Sequence, residues 1–290
     1  MINFTLFIDS GIFYFYKITH LEPAAGPTAG NGPIQVMGSG FQNSTKVKCM
    51  LNQIEMKPID VLPDRILCPM TKSSYGLNFT GAVDFGVTLN GIDWKLFPNG
   101  FYYYVQPLVN DIFPQYGPSK GHAIVKVYGA GFRSDFPGSR TGCRVGRNFG
   151  AGVVKSTNEI ECTLNSMPIL EFNKTLNFTV ALNNYSFTEE RVNLNFTPYG
   201  VALISPSSGP IQGGTRIQVK GAGFFDSKNI RCRFGVPGWY GYTEGQFIDY
   251  NKVVCTSPLE FKLPEGGKLP FSVPFSIAFN EDDFSKTNNI

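Results

Sequence analysis

The chain alternates apolar and polar residues over short stretches and breaks them with Gly, Pro and Asn. Ile34 and Val36 flank Gln35, Val125 and Val127 flank Lys126, and Ile217 and Val219 flank Gln218. A period of two places each aliphatic pair on one face of an extended strand and the polar residue on the other, which predicts strands buried on one side. The spacing of about 3.6 residues that marks an amphipathic helix is almost absent, so the pattern predicts an all-β chain of many short strands.

These stretches sit in a frame that occurs three times. Pro23, Gly26, Pro27, Gly30, Gly38, Gly40 and Phe41 recur at the same offsets as Pro114, Gly117, Pro118, Gly121, Gly129, Gly131 and Phe132, and again as Pro206, Gly209, Pro210, Gly213, Gly221, Gly223 and Phe224. Gly129 follows Gly38 by 91 residues and Gly221 follows Gly129 by 92, close to the length of about 100 residues of one immunoglobulin-like sandwich. Pro-x-x-Gly-Pro reads as a rigid turn joining one domain to the first strand of the next, its prolines fixing φ and its glycine free to take positive φ. Gly-x-Gly-Phe reads as a bend at a strand end where a side chain would obstruct, with the Phe plugging the core.

Each copy carries two cysteines: Cys49 and Cys68, Cys143 and Cys162, Cys232 and Cys255, spaced by 19, 19 and 23 residues. Two per copy at near-equal spacing predict one disulfide inside each repeat rather than a crosslink between repeats. A zinc site is a poor reading, because Cys-x-x-Cys is missing and the chain has only two histidines. Disulfides imply an oxidising compartment.

A strand pair closes each copy: Phe85 to Asn90 leading to Phe101 to Tyr104, Phe178 to Asn183 leading to Leu194 to Phe196, and Phe275 to Asn280. The third copy shows no aromatic final strand after Phe284, while residues 2 to 16, ending in Phe13-Tyr14-Phe15-Tyr16, look like the closing strands of a repeat whose beginning is missing. Two accounts fit. The chain is a window onto a longer array, or subunits join head to tail, the N-terminal strands of one completing the last sandwich of another. The expected layout is closing strands of a preceding or neighbouring repeat over 1–16, then repeats over 17–106, 107–199 and 200–290, the last without its final strand. The Phe4 to Tyr16 run could also be read as a signal peptide, but Asp9 interrupts it and neither a basic start nor a clean cleavage site accompanies it.

Composition narrows the class. Of the 290 residues, 42% are hydrophobic and 16% charged, against about 25% charged for an average soluble chain, so the chain should fold around a core. The net charge of +3 comes from scattered Lys and Arg, which does not point to nucleic acid. No stretch approaches the roughly 18 to 20 apolar residues of a membrane helix.

The frame, with Cys143-Arg144-Val145-Gly146, Cys232-Arg233-Phe234-Gly235 and Cys255-Thr256-Ser257-Pro258, resembles the IPT/TIG domain, the immunoglobulin-like fold of plexins and transcription factors. The resemblance covers nearly the whole chain three times. The first repeat departs from it, since Met50-Leu51-Asn52 follows Cys49. The disulfide-bearing form is similar to the extracellular branch found in plexins, hepatocyte-growth-factor-type receptors and fibrocystin-like surface proteins. It implies three tandem β-sandwiches acting as binding or spacer modules, with no catalytic residues and no cofactor.

Seven Asn-x-Ser/Thr sequons stand at Asn3, Asn43, Asn78, Asn173, Asn177, Asn184 and Asn195. Four lie between 173 and 195 and none follows residue 200, which predicts a second repeat sheathed in glycan and a third left bare for contact. His20 and His122 fall at linker or turn positions outside any catalytic motif and read as surface histidines. Glu281, Asp282 and Asp283 lack the spacing of a calcium loop and read as a solvated hairpin tip. Arg140, Arg144 and Arg147 form either a small basic patch or a dispersed solvent-facing set. Pro237-Gly238-Trp239-Tyr240-Gly241-Tyr242 reads as a loop inside the longer third disulfide ring. Trp239, Tyr240 and Tyr242 are therefore candidate partner-binding residues, against the alternative that the rings pack over the sandwich edge.

The expected function is an extracellular structural or adhesive glycoprotein, a rod or filament of IPT/TIG domains that binds protein partners or itself and carries N-glycans. The alternative is a ligand-binding ectodomain fragment of a plexin-like or fibrocystin-like receptor. Both place the chain outside the cell or on its surface, with no enzyme activity, metal, nucleic acid or membrane span in these residues.

Overall fold

The computed structural model describes residues 13–30, 32–120, 123–167, 175–189, 194–236, 238–259, 261, 269–280 and 284. Strands joined by turns and irregular segments make up the described residues, among which there is no helix. It forms two compact units, Met1–Gln106 with Phe136–Gly138, and Pro107–Asp135 with Ser139–Ile290.

The first unit is a two-sheet sandwich. One sheet runs Lys17–Glu22, Pro33–Ser39, Arg65–Pro69, Asp60–Leu62, and the other Ala25–Pro27, Lys95–Tyr104, Gly81–Thr88, Lys48–Leu51, Ile54–Met56. Pairing is antiparallel except where Ala25–Pro27 runs parallel to Tyr102–Tyr104. The alternation seen in the sequence becomes burial: Ile34 and Val36 are fully enclosed between the sheets with Ile66, Leu51, Phe85 and Phe101. The expected inward pairs of the other repeats, Val125 with Val127 and Ile217 with Val219, are also buried.

Cys49 and Cys68 lie on strands of opposite sheets, and their bond staples the two layers at a Cα separation of 5.9 Å. Cys143–Cys162 and Cys232–Cys255 do the same at 6.1 and 6.2 Å, and all six cysteines are inaccessible to solvent.

The frame residues have different jobs from one another. Pro-x-x-Gly-Pro does not join two domains, as the spacing predicts, because Lys17–Glu22 before it already pairs with Pro33–Ser39. The turn lies inside the sandwich and carries the chain from one sheet to the other. Gly26 and Gly117 do not take the positive φ expected of them. They are bare because core side chains press on them: a Cβ on Gly26 would strike Met70 Sδ and sit 2.9 Å from Phe101 Cζ, and one on Gly117 would sit 2.6 Å from Phe196 Cζ. In Gly-x-Gly-Phe the first glycine faces a neighbouring backbone, since a Cβ on Gly38, Gly129 or Gly221 would strike the carbonyl of Lys17, Leu108 or Gly200. The second, Gly40, Gly131 or Gly223, has φ of 75°, 78° or 75°, which a larger residue adopts only with strain. The Phe after it is buried in every repeat.

The closing strand also supplies polar anchors. Tyr103 hydroxyl donates to Thr71 O at 2.8 Å, and burial pushes that hydroxyl above the ordinary tyrosine range.

The second unit holds the other two repeats. In each, one long strand leaves the first sheet and joins the second: Asn148–Ser156 pairs with both Glu159–Leu164 and Gly142–Val145, and Trp239–Asp249 with both Lys252–Thr256 and Arg231–Val236. In the first repeat this strand is split into Ile54–Met56 and Asp60–Leu62 around Pro58, which has no N–H to give to a ladder. A single strand, Asn195–Ser205, serves both repeats of the second unit. Its first half closes the second repeat beside Tyr116–Pro118, and its second half opens the third against Arg216–Ala222.

Two outcomes follow. Removing one disulfide by Cys143→Ala with Cys162→Ala should lower stability by about 3 kcal/mol in equilibrium denaturation, the chain-entropy value for a ring of this size; no loss would mean the bond does not form. Gly117→Ala should cost about 1–3 kcal/mol by overpacking against Phe196, which the same measurement reads.

Candidate functional site

The third repeat departs most from the common pattern. Its disulfide ring is longer because the hairpin after Cys232 is longer: Val236 pairs with Trp239 and Cys232 with Thr243, whereas in the second repeat Val145 pairs with Asn148 and Cys143 with Gly150. Residues 239–242 therefore lie on a strand, not on the loop that their Gly and Pro neighbours predict. Alternation along that strand separates the three rings that the sequence grouped. Trp239 points to one face and packs edge-on against Phe261 and Phe271, with centroids at 4.7 and 5.4 Å. Tyr240 and Tyr242 point to the other.

On that outer face, guanidinium groups alternate with rings. Arg233 lies 4.5 Å from the centre of Tyr240 and 4.4 Å from Phe284, and Arg231 lies 5.1 Å from Tyr242. Arg233 Nε donates to Ser276 Oγ at 2.9 Å, which fixes the plane of the guanidinium. Each cation–ring contact is worth about 0.5–1 kcal/mol when exposed. Tyr242 keeps 44% of its surface exposed. The arrangement is a half-open patch of tyrosine and arginine held by cation–ring contacts.

The reverse side of the hairpin borders a groove of about 550 Å³. Gly209, Phe234, Phe261, Phe271 and Val273 are among its walls. Arg231, Arg233, Phe271 and Gly209 had no place in the sequence reading of a site. Only the recurrence of Arg after the first cysteine, in Cys143-Arg144 and Cys232-Arg233, could have flagged one of them.

The remaining candidates are dispersed. Arg144 is held by Thr179 Oγ1 at 3.2 Å and lies 4.6 Å from Phe187, while Arg140 and Arg147 are exposed. His20 is on the strand Lys17–Glu22, not in a linker, and meets Thr19 Oγ1 at 3.0 Å. Asn43 and Asn78 are exposed; Asn177, Asn184 and Asn195 are half-buried, and Asn177 and Asn195 face each other across a strand pair. Asn3, His122, Asn173, Glu281, Asp282 and Asp283, with most of the 1–16 segment, lie outside the described residues. Among the described residues, no helix is long and apolar enough to cross a membrane.

Comparison with known proteins places these features. The chain is 26% identical to mouse fibrocystin-L over 219 residues, 74% of this chain and 5% of that protein, and 26% identical to human fibrocystin-L over 226 residues. It thus spans only 5% of the length of either relative. Among solved structures it is similar to the plexin A4 full extracellular region, at 18% identity and a TM-score of 0.42, covering 98% of this chain and 25% of that one. The buried disulfide in each sandwich makes this an extracellular chain. The IPT/TIG domain family matches residues 17–103, 107–196 and 201–285, so the chain belongs to the IPT/TIG domain family, three domains in tandem.

Proposed function

We propose that the chain is part of a receptor-type cell-surface ectodomain and binds a protein partner, without catalysis, through the outer face of the third repeat. One observation carries this reading: Tyr240 and Tyr242 are set on Arg233 and Arg231 along a strand over which no further sheet packs among the described residues. Tyr and Arg are among the residue types that dominate binding hot spots: Tyr buries a large amphipathic ring at little cost in side-chain freedom, and Arg offers a planar guanidinium that hydrogen-bonds and stacks. The third repeat has no sequon after Asn195, so a sugar coat on the rest would leave this face reachable. The similarity to fibrocystin-L over most of the chain supports a surface ectodomain over a free-standing matrix rod.

A fluorescent tetramer of the chain, made with a secretory leader, should stain a subset of cells in a panel expressing single human ectodomains. Replacing both rings, Tyr240→Ala with Tyr242→Ala, should reduce staining at least about tenfold while the far-ultraviolet circular dichroism of the folded protein is retained. Equal staining by the variant would remove the site.

N-glycans form the finer part of the proposal. Asn43 and Asn78, both exposed, should carry sugar. Asn177 and Asn195 are directly opposed, with Cβ atoms about 5 Å apart, so a folded molecule has room for a glycan on one of them only. Intact glycopeptide mass spectrometry should find both exposed sites occupied and the opposed pair singly occupied. Unmodified asparagines throughout would refute the sheath.

A further inference from the structure

The outer face of the first sheet of the third repeat carries a charge arrangement that the same face of the other two repeats lacks. In every copy the residue before the Gly-x-Gly-Phe bend sits across a ladder from the residue three before the second cysteine: Met37 faces Arg65, Tyr128 faces Glu159 and Lys220 faces Lys252. The third pair sets like charges directly opposite one another, an unfavourable placement.

The surroundings do not neutralise it. Arg65 is paired with its neighbour Asp64 at 3.1 Å, whereas the residue in that place beside Lys252 is the neutral Asn251. Asp249 lies across from Lys252 on the other side and accepts the Asn251 N–H at 2.8 Å, so it caps the hairpin. Among the described residues, no carboxylate makes an ion pair with Lys220 or Lys252.

Both lysines border an open cleft of about 470 Å³. It lies between the bulge at Ala202 in the edge strand and the hairpin tip Tyr250–Asn251. Gly221 N donates to Asn251 O at 3.0 Å and Phe224 N to Tyr250 O at 3.1 Å, which fastens the tip to the bend. The tips fastened in the same way in the other repeats are Pro63–Asp64 and Thr157–Asn158, so the third alone puts an aromatic ring there. Tyr250 stands edge-on to Phe247, with centroids 6.0 Å apart, and keeps 70% of its surface exposed. Arg216 is exposed on the same face, four residues before Lys220 and so about 13 Å along the strand.

These parts match the chemistry of a sulfated polysaccharide. A sulfate ester is a compact anion with three free oxygens, and two neighbouring ammonium groups supply it with charge and donors. A sugar ring offers an apolar face to lie on an exposed tyrosine and hydroxyls for Asp249 and Asn251 to accept. A small free anion would use the lysines alone, whereas the ring and the more distant Arg216 suit a polymer charged at intervals.

We propose that the cleft between Lys220, Lys252 and Tyr250 binds a sulfated polysaccharide, with a sulfate ester on the two lysines and a sugar ring on Tyr250. It lies on the opposite sheet from Tyr240 and Tyr242 and stands apart from the receptor reading.

A heparin dodecasaccharide should bind the whole chain in about 0.15 M salt. Lys220→Ser with Lys252→Ser should weaken that binding at least about fivefold, as for two lost ion contacts, with the thermal midpoint kept or raised because a like-charge pair is gone. Lys57→Ser with Lys120→Ser removes the same charge from exposed positions elsewhere, and it should change affinity by less than about twofold, as should Tyr240→Ala with Tyr242→Ala. On the wild-type chain, bound heparin should protect the Lys220 and Lys252 amines from acetylation and leave Lys57 and Lys120 reactive. Equal loss from the two lysine doubles, or acetylation of Lys220 and Lys252 undiminished by heparin, would overturn the proposal. So would equal affinity for a hyaluronan fragment of the same length, which carries carboxylates but no sulfate. An absence of heparin binding would overturn it as well and leave an acidic protein surface as the match for the cations.

Discussion

In the first two sandwiches the closing strand brings an aromatic ring onto the bare Cα of a glycine, with Met70 beside the ring in the first. Phe101 on Gly26 and Phe196 on Gly117 bring the last strand close enough to give its amides and carbonyls to the short parallel segment beside it. A larger residue in place of glycine would press on the ring and weaken this pairing. Burying a phenylalanine is worth about 1.5–3 kcal/mol, and the paired backbone removes a reactive edge at the same time.

The disulfides act on a different axis. They hold the two layers of each sandwich together from within and leave the sheet edges untouched. The third repeat keeps an ordered core, with Val219, Cys232, Cys255 and Ile277 inaccessible to solvent, beside a groove walled by Phe234, Phe261 and Phe271.

The longer hairpin of the third repeat has two faces. Trp239 braces Phe261 and Phe271 in the groove wall, and Tyr240 and Tyr242 stack with Arg233 and Arg231 on the outside. One strand therefore supports two separate surfaces, because consecutive side chains of an extended chain point in opposite directions.

The sequence by itself determined the all-β class, the three copies, the pairing of cysteines within each copy and the inward pairs such as Ile34 with Val36. All of these are local or periodic, and a period of two or a repeat of 91 residues can be read without knowing what lies across the core. Only the tertiary structure decided why Gly26 and Gly117 are glycines, because the ring that excludes a Cβ there comes from a strand far along the chain. It also moved Pro-x-x-Gly-Pro inside the sandwich and turned the Trp239–Tyr242 loop into a strand with rings on both faces. Each of these rests on contacts between segments distant in sequence, which composition, spacing and alternation do not encode.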